Sequence, residues 1–520
     1  MEPEIRNLID ISSSQAALEG QADLVLERAQ WASTIYQRLG RDRVLEIATA
    51  VAQRAHDRAA HYAERAVAET GFGVVAHKKL KNEMTALPLV DHYRDQDYIN
   101  PRIDEARKIV EVPRPAGVIF ALTPSTNPVA TVNYKIILSL LTRNAIVLSP
   151  HPAARECCID AARELAQAAV DAGAPDGVIQ VLENPTIPLV EVFMSSPKTR
   201  LILATGGNAM VRAAYSSSNP AIGVGPGNAP VLVDGSADIN LAAKRIVESK
   251  SFDNSILCTN ESVCITVAET DGQLRRAFSA NGAYICDSDE VDRLRRLLFH
   301  PQGFNIECIG RDATWIAQEA GIRVPQNTRI LIAPIEQIGV EEPLSREKLC
   351  PVLSYLVARN LDQAIGQARA VLRLAGSGHS AAVHSMDERV TMAFAAAVEC
   401  YRVVVNAPCS QGAAGIGTNL PPTYTIGTGY FGRSTVGENV GPQHLVHWTR
   451  MAYNASETFG DYHGLSPAFE GPLPEAPSDG VPGSPPPRPY RPSASNESAS
   501  LDREELRQLI AEELRHLLKR

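Results

Sequence analysis

A chain of 520 residues with 44% hydrophobic content can bury two or three sizeable cores, so several domains are expected. Its net charge of −9 at pH 7 leaves no electrostatic case for nucleic acid, and no run approaches the roughly 20 apolar residues of a membrane span. The nine cysteines include no CxxC pair, which disfavours a zinc framework or a disulfide scaffold and fits a reducing compartment.

Met1 to Ile5 lack the basic-then-apolar layout of a signal peptide, so a cytoplasmic protein is expected. From about Gln15 to Leu87 the chain is rich in Ala, Glu, Arg and Leu, without proline, and its apolar positions recur at helical spacing. From Ala116 short apolar bursts follow one another: Gly117 to Leu122, Ala145 to Leu148, Val178 to Leu182, Leu201 to Ala204 and Pro230 to Val233. A helical pattern from Ala153 to Ala172 lies among them. Continuous apolar strands alternating with helices predict an α/β architecture with parallel sheets covered on both faces.

A second α/β region is expected from about Asp234 to Gly429, with strands at Arg329 to Ala333 and Val403 to Val405. Nine prolines between Pro472 and Pro492 then read as an extended linker. Beyond it, Leu506, Leu509, Ile510, Leu514, Leu517 and Leu518 form one helical stripe within Ser500 to Arg520. A free helix of that length is marginal in water, so it is expected to dock on something. The expected boundaries are 1–233, with strands near 101–115, then 234–430, a return over 431–465, a linker over 466–499 and a helix over 500–520.

The stretch Phe252 to Glu261 carries Cys258 after a short polar turn and before the alternating Val263, Ile265 and Val267. A thiolate at an element boundary suits covalent attack on a carbonyl carbon; the alternative is a small buried hydrophobe. The turn Thr123-Pro124-Ser125-Thr126-Asn127-Pro128 sits at the carboxyl end of a predicted strand, where open α/β sheets place ligands. The Asn127 amide there could donate to an oxyanion, or it is simply a turn asparagine before proline. Two glycine clusters, Thr205-Gly206-Gly207 and Gly223 to Asn228, permit close backbone approach to a ligand but are no clean dinucleotide fingerprint.

The order of these motifs, followed by Glu347-Lys348-Leu349-Cys350-Pro351-Val352, resembles the aldehyde dehydrogenase superfamily. Ser149-Pro150-His151-Pro152, Gly223 to Asn228, Asn406 to Gln411 and Gly437 to Gly441 resemble its CoA-acylating branch, over about Gln15 to Leu465. The resemblance implies two Rossmann-like parallel-sheet domains with a small oligomerisation region. It implies Cys258 as nucleophile, Asn127 at the oxyanion, and Glu347, otherwise an ordinary surface carboxylate, on the nicotinamide ribose. Thr123, Pro124, Ser125, Ser149, Pro150, His151, Thr205, Gly206, Gly207, Gly225 and Gly227 are its implied cofactor contacts, with NAD and coenzyme A as cofactors.

Hydrolytic relatives carry a glutamate in a Glu-Leu-Gly-Gly stretch where this chain reads Gly225-Pro226-Gly227-Asn228. Without that general base, water attack on an acyl-enzyme should be slow, leaving it for coenzyme A. Ser149-Pro150-His151 also replaces a lysine-containing Lys-Pro-Ser, which leaves NAD against NADP open. The expectation is a CoA-acylating dehydrogenase of a short aliphatic aldehyde; the alternatives are a hydrolytic enzyme releasing free acid and a silent scaffold. The tail resembles encapsulation peptides, implying shell proteins of a bacterial microcompartment as partners of Ser500 to Arg520. Its five acids and five bases disfavour a membrane-surface role, and an oligomerisation helix is the alternative. The family resemblance implies homodimers or homotetramers through Ile109 to Pro113 and the segment after Tyr430.

Overall fold

The computed structural model describes residues 14–301, 303–467, 471–472 and 476–477. The expected helix over 500–520 and most of the linker over 466–499 lie outside the described residues. Helices α1 (Gln15–Tyr36), α2 (Arg41–Asp57) and α3 (Ala59–Thr70) open the chain. Ser14 caps α1 by accepting from the Ala17 N–H, and Leu18, Ala22, Leu26, Ala29 and Tyr36 form its buried stripe. Helix α4 (Val75–Met84) breaks that pattern, because the residues it buries are Lys78, Lys81 and Asn82. A short α5 (Leu87–Tyr93) follows.

Strands β1 (Arg102–Asp104) and β2 (Ile109–Pro115) begin an antiparallel sheet that the chain completes only at its far end. The chain next builds a five-stranded parallel sheet from β3 (Val118–Thr123), β4 (Ala145–Pro150), β5 (Ile179–Val181), β6 (Leu201–Thr205) and β7 (Ala221–Val224). Their order is β5-β4-β3-β6-β7, so the direction of winding reverses between β3 and β6. Both β3 and β4 are buried at every position, as expected for strands covered on both faces. Helix α6 (Pro128–Leu141) is buried along its whole length, with α7 (Arg155–Asp171), α8 (Ile187–Ser195) and α9 (Asn208–Ser216) completing the layers.

A seven-stranded parallel sheet comes next. It contains β8 (Ala229–Val233) and β9 (Glu261–Val267), with helix α10 (Ile239–Ser251) between them, and then β10 (Ala283–Ile285). A hairpin of β11 (Phe299–His300) and β12 (Gly303–Phe304) stands apart, and β13 (Ile330–Pro334), β14 (Val352–Ala358), β15 (Ala381–His384) and β16 (Val403–Val405) complete the sheet. The order is β10-β13-β14-β9-β8-β15-β16. The expected boundary after residue 233 is corrected by this pairing. Strand β8 bonds to β9 and β15, so it belongs to the second sheet and the crossing lies at residues 225–228. An apolar run does not disclose which sheet it joins; the strands it pairs with decide that.

The return, expected at 431, begins earlier. Thr423 is already hydrogen-bonded to Tyr134 of α6, and Val440 and Leu445 lie in the first core. Strand β17 (Val446–Ala452) then pairs with β2 along its length and closes the three-stranded antiparallel sheet. The Arg102 guanidinium lies 3.8 Å from the Trp448 ring centroid. Among the described residues, no helix is long and apolar enough to cross a membrane.

Candidate active site

Cys258 lies between a 3₁₀ turn (Phe252–Ser255) and the first residue of β9. Asp253, Asn254 and Ser255 all take left-handed backbone angles, with φ of 49°, 52° and 62°. Each such residue costs on the order of 1 kcal/mol or more, so the surroundings must hold the turn in place. Asn254 donates to Gly310 O and Asp312 Oδ1, at 2.9 and 2.8 Å. Thr259 donates to Ser410 O at 2.8 Å, and Asn260 donates to Ser249 O. The Asp253 carboxylate accepts from Lys78, Lys81 and the Val74 N–H. Of the nine cysteines, eight are buried and Cys258 alone is partly exposed.

The crossing between the two sheets runs against this loop. A Cβ on Gly227 would sit 2.0 Å from the Cys258 carbonyl oxygen, so only glycine fits there. The Gly227 N–H donates to Glu347 Oε1 at 3.1 Å. The Asn228 amide donates instead to Ser345 O and Val371 O, at 3.0 and 3.1 Å, so it pins the backbone. Burial pushes the Cys258 thiol up to about 12 and the Glu347 charge adds to the rise, while Arg402 opposes it. Burial likewise raises Glu347 to about 7, against the pull of the Gly227 N–H, Lys250 and Lys348.

Asn127 stands at the start of α6. Its backbone carbonyl accepts from the Thr131 N–H and hydroxyl, and its side-chain Oδ1 accepts from Lys81 Nζ at 2.5 Å. Thr123 ends β3 and Thr205 ends β6, on either side of the winding reversal, with Gly206 and Gly207 leading into α9. That is where open α/β sheets bind ligands, and the start of a helix favours phosphate. The carboxyl ends of three neighbouring strands thus form one rim: Thr123-Pro124-Ser125, Ser149-Pro150-His151 and Thr205-Gly206-Gly207. His151 has another occupation, since its Nδ1 accepts from the Ala153 N–H and caps the turn that follows.

An aldehyde dehydrogenase family model matches residues 9–281. The chain belongs to the aldehyde dehydrogenase family. It is 38% identical over 434 residues to the aldehyde-alcohol dehydrogenase of Clostridium acetobutylicum, covering 82% of this chain and 50% of that protein. It therefore spans about half the length of the first curated relatives it matches. It is 32% identical over 431 residues to the acetylating succinate-semialdehyde dehydrogenase of Clostridium kluyveri, covering 82% of this chain and 95% of that one.

Among solved structures, an acetylating aldehyde dehydrogenase from Geobacillus thermoglucosidasius superposes with TM-score 0.84 at 34% identity, over 86% of this chain and 99% of that one. A propionaldehyde dehydrogenase from the fucose utilisation microcompartment of Clostridium phytofermentans superposes with TM-score 0.76 at 30% identity, over 83% and 97%. The Rhodopseudomonas palustris propionaldehyde dehydrogenase, solved with bound CoA and an acylated cysteine, gives 0.74 at 28%, over 83% and 97%.

Within this aldehyde dehydrogenase fold, Gly227 lies against the Cys258 carbonyl and bonds Glu347, and Lys81 joins Asn127 to Asp253, five residues before Cys258. Sequence reasoning missed four charged or ionisable residues that shape the site. Lys135 is fully buried and donates to Leu122 O and Leu203 O at 2.6 and 2.8 Å, stapling β3 to β6 at the winding reversal. Arg402 is buried and donates to His379 O at 2.9 Å and to Gly378 O at 2.8 Å. Burial and the Arg402 charge push His379 down to about 3, so its imidazole is neutral at working pH. Lys81 is the fourth. Its helical spacing with Lys78 was visible, but lysines on a helix ordinarily read as a solvated face.

Proposed function

We propose that this chain oxidises a short aliphatic aldehyde with NAD and transfers the acyl group from Cys258 to coenzyme A. One observation carries the reading. Cys258, the one cysteine of the nine that is not fully buried, sits against a glycine crossing whose one polar side chain, Asn228, donates its amide to backbone carbonyls. That segment presents no carboxylate to activate water. A thioester formed on Cys258 is therefore left for a thiol acceptor, and thiol-for-thiol exchange is nearly balanced in energy.

The residues fit a dinucleotide: the rim at β3, β4 and β6 suits the phosphates, and the partly buried Glu347 carboxylate suits ribose hydroxyls. The bound nicotinamide would supply the two-electron acceptor. The Cys258 thiol gives up its proton to solvent as its sulfur adds to the aldehyde carbon; the S–H bond breaks, a C–S bond forms, and the carbonyl electron pair moves to oxygen. The Asn127 amide and the Cys258 N–H stabilise that oxyanion. When the C=O reforms and the aldehydic hydrogen leaves with its electron pair, Cys258 holds a thioester. Attack by the CoA sulfur breaks the C–S bond and returns the Cys258 thiolate, which takes a proton. Crystals of the Rhodopseudomonas relative with CoA and an acylated cysteine support this order.

A product assay with several short aldehydes tests the reading. Acyl-CoA formed in the presence of CoA supports it, and sustained release of carboxylic acid without CoA supports hydrolysis instead. We further infer that the protein works inside a bacterial microcompartment, with Ser500 to Arg520 docking on shell proteins and the protomers assembling as dimers or tetramers. The amphipathic stripe of the tail and the microcompartment origin of one structural neighbour support this. Deleting residues 500–520 is expected to leave kcat within about twofold while abolishing co-purification with shell proteins. Unchanged co-purification contradicts the targeting role and leaves the chemistry untouched.

A further inference from the structure

Helix α4 turns its charged residues inward. Lys81 is 1% exposed and Asp253 is 0% exposed, although they lie in different parts of the chain. Lys78 and Lys81, three residues apart and so on one face, both ion-pair with Asp253 Oδ2. The same two lysines reach the turn after β3: Lys78 donates to Thr126 O at 3.2 Å, and Lys81 to Asn127 Oδ1 at 2.5 Å. Gly73 makes room for this cluster. Its φ is +80°, and a Cβ there would meet Asp253 Oδ1 at 2.2 Å. Buried ion pairs seldom add net stability over packed apolar residues, so such a pair calls for another reason to exist.

The chemistry of the two ends supplies that reason. Burial pulls Lys81 down to about 7 while the Asp253 carboxylate favours its charged form; as an ammonium it donates in three directions and accepts in none, so the oxygen of the Asn127 amide is the end that faces it. The NH2 end is thereby turned away, where it has one long bond, 3.3 Å to Thr126 Oγ1. An asparagine without such a neighbour could present either end to the reacting oxygen, and the carbonyl end would repel an oxyanion. Asp253, which holds Lys81 in place, is five residues before the nucleophile and belongs to its left-handed turn.

We propose that Lys81 is a positioning residue for the acyl-transfer step: it fixes the Asn127 amide with its NH2 toward the developing oxyanion and, through Asp253, ties it to the Cys258 loop. This rests on the reading of Cys258 and Asn127 given above. Lys81 touches no substrate. It acts through Asn127.

Lys81→Met in the whole chain keeps the aliphatic stem and removes the donor. It is expected to lower kcat for CoA-dependent aldehyde oxidation about 100-fold, with KM for aldehyde within about threefold. Alkylation of Cys258 by iodoacetamide develops no oxyanion and should proceed at the wild-type rate. Asn127→Ala should show a similar loss, and the double variant should lose no more than either single one. Lys81→Arg, which still only donates, should recover most of the rate. If the Met variant does not fold, Lys81→Gln carries the same test, because its end offers Asn127 an acceptor as readily as a donor.

Wild-type kcat in Lys81→Met, losses that multiply in the double variant, or an alkylation rate that falls with kcat would each overturn the proposal. A wild-type chain that makes no acyl-CoA, or an Asn127→Ala chain with normal turnover, would instead overturn the reading of the site beneath it.

Discussion

Cys258→Ala is expected to abolish aldehyde-dependent NADH formation, a loss of at least about 10⁴-fold in kcat. The expectation follows from position as much as from chemistry. The other eight cysteines are buried, so none can replace the missing sulfur at the rim of the site. Removing the sulfur should cost the fold little, because Cys258 as a residue is only partly buried and its loop is held by Asp253, Asn254, Thr259 and Asn260. The variant should therefore retain the melting temperature of the parent to within a few degrees. NADH formation at near the parent rate would remove Cys258 from the mechanism. Loss of activity with a collapsed melting transition would show a structural role instead.

Omitting coenzyme A should produce the second large effect. NADH should appear in a burst of about one equivalent per active site and then stop, because the acyl group has no acceptor. A positioned general base is worth about 10²–10⁴ in rate, and the crossing at residues 225–228 supplies none, so sustained turnover should fall by at least about 100-fold. Glu347 is the carboxylate whose charge raises the thiol, and its Oε1 is engaged by the Gly227 N–H. Stopped-flow absorbance at the NADH band separates burst from steady state directly. A linear trace without CoA, with matching carboxylic acid, would place Glu347 or another group as a base toward water.

The parts of this molecule differ in how openly the sequence declares them. Strands β3 and β4 are buried on both faces, so they read as unbroken apolar runs that no other element would tolerate. Cys258 was visible because a polar turn precedes it and a strand follows. The allegiance of β8 was not visible, since Ala229 to Val233 would suit either sheet and only its pairing partners decide. Glu347 read bottom-up as a surface carboxylate; its Oε1 accepts from the N–H of a glycine 120 positions earlier in the chain, and only family resemblance singled it out.

Lys81 and Arg402 lay further out of reach. A lysine on a short helix is normally solvated, and what buries Lys81 is a carboxylate 172 residues away. Arg402 is satisfied mostly by backbone carbonyls, which leave no mark in the sequence, with Asn439 Oδ1 as a side-chain acceptor at 3.2 Å. Buried charges are the features where local pattern and tertiary environment disagree most, and here they gather around the candidate site.

Intact-mass and peptide mass spectrometry after mixing the chain with propionaldehyde and NAD, without coenzyme A, is the most direct test. A propionyl adduct is expected on the peptide containing Cys258, disappearing when CoA is added, with propionyl-CoA released in equal amount. An adduct on another residue, or one lost to free propionate as fast without CoA as with it, would contradict that expectation.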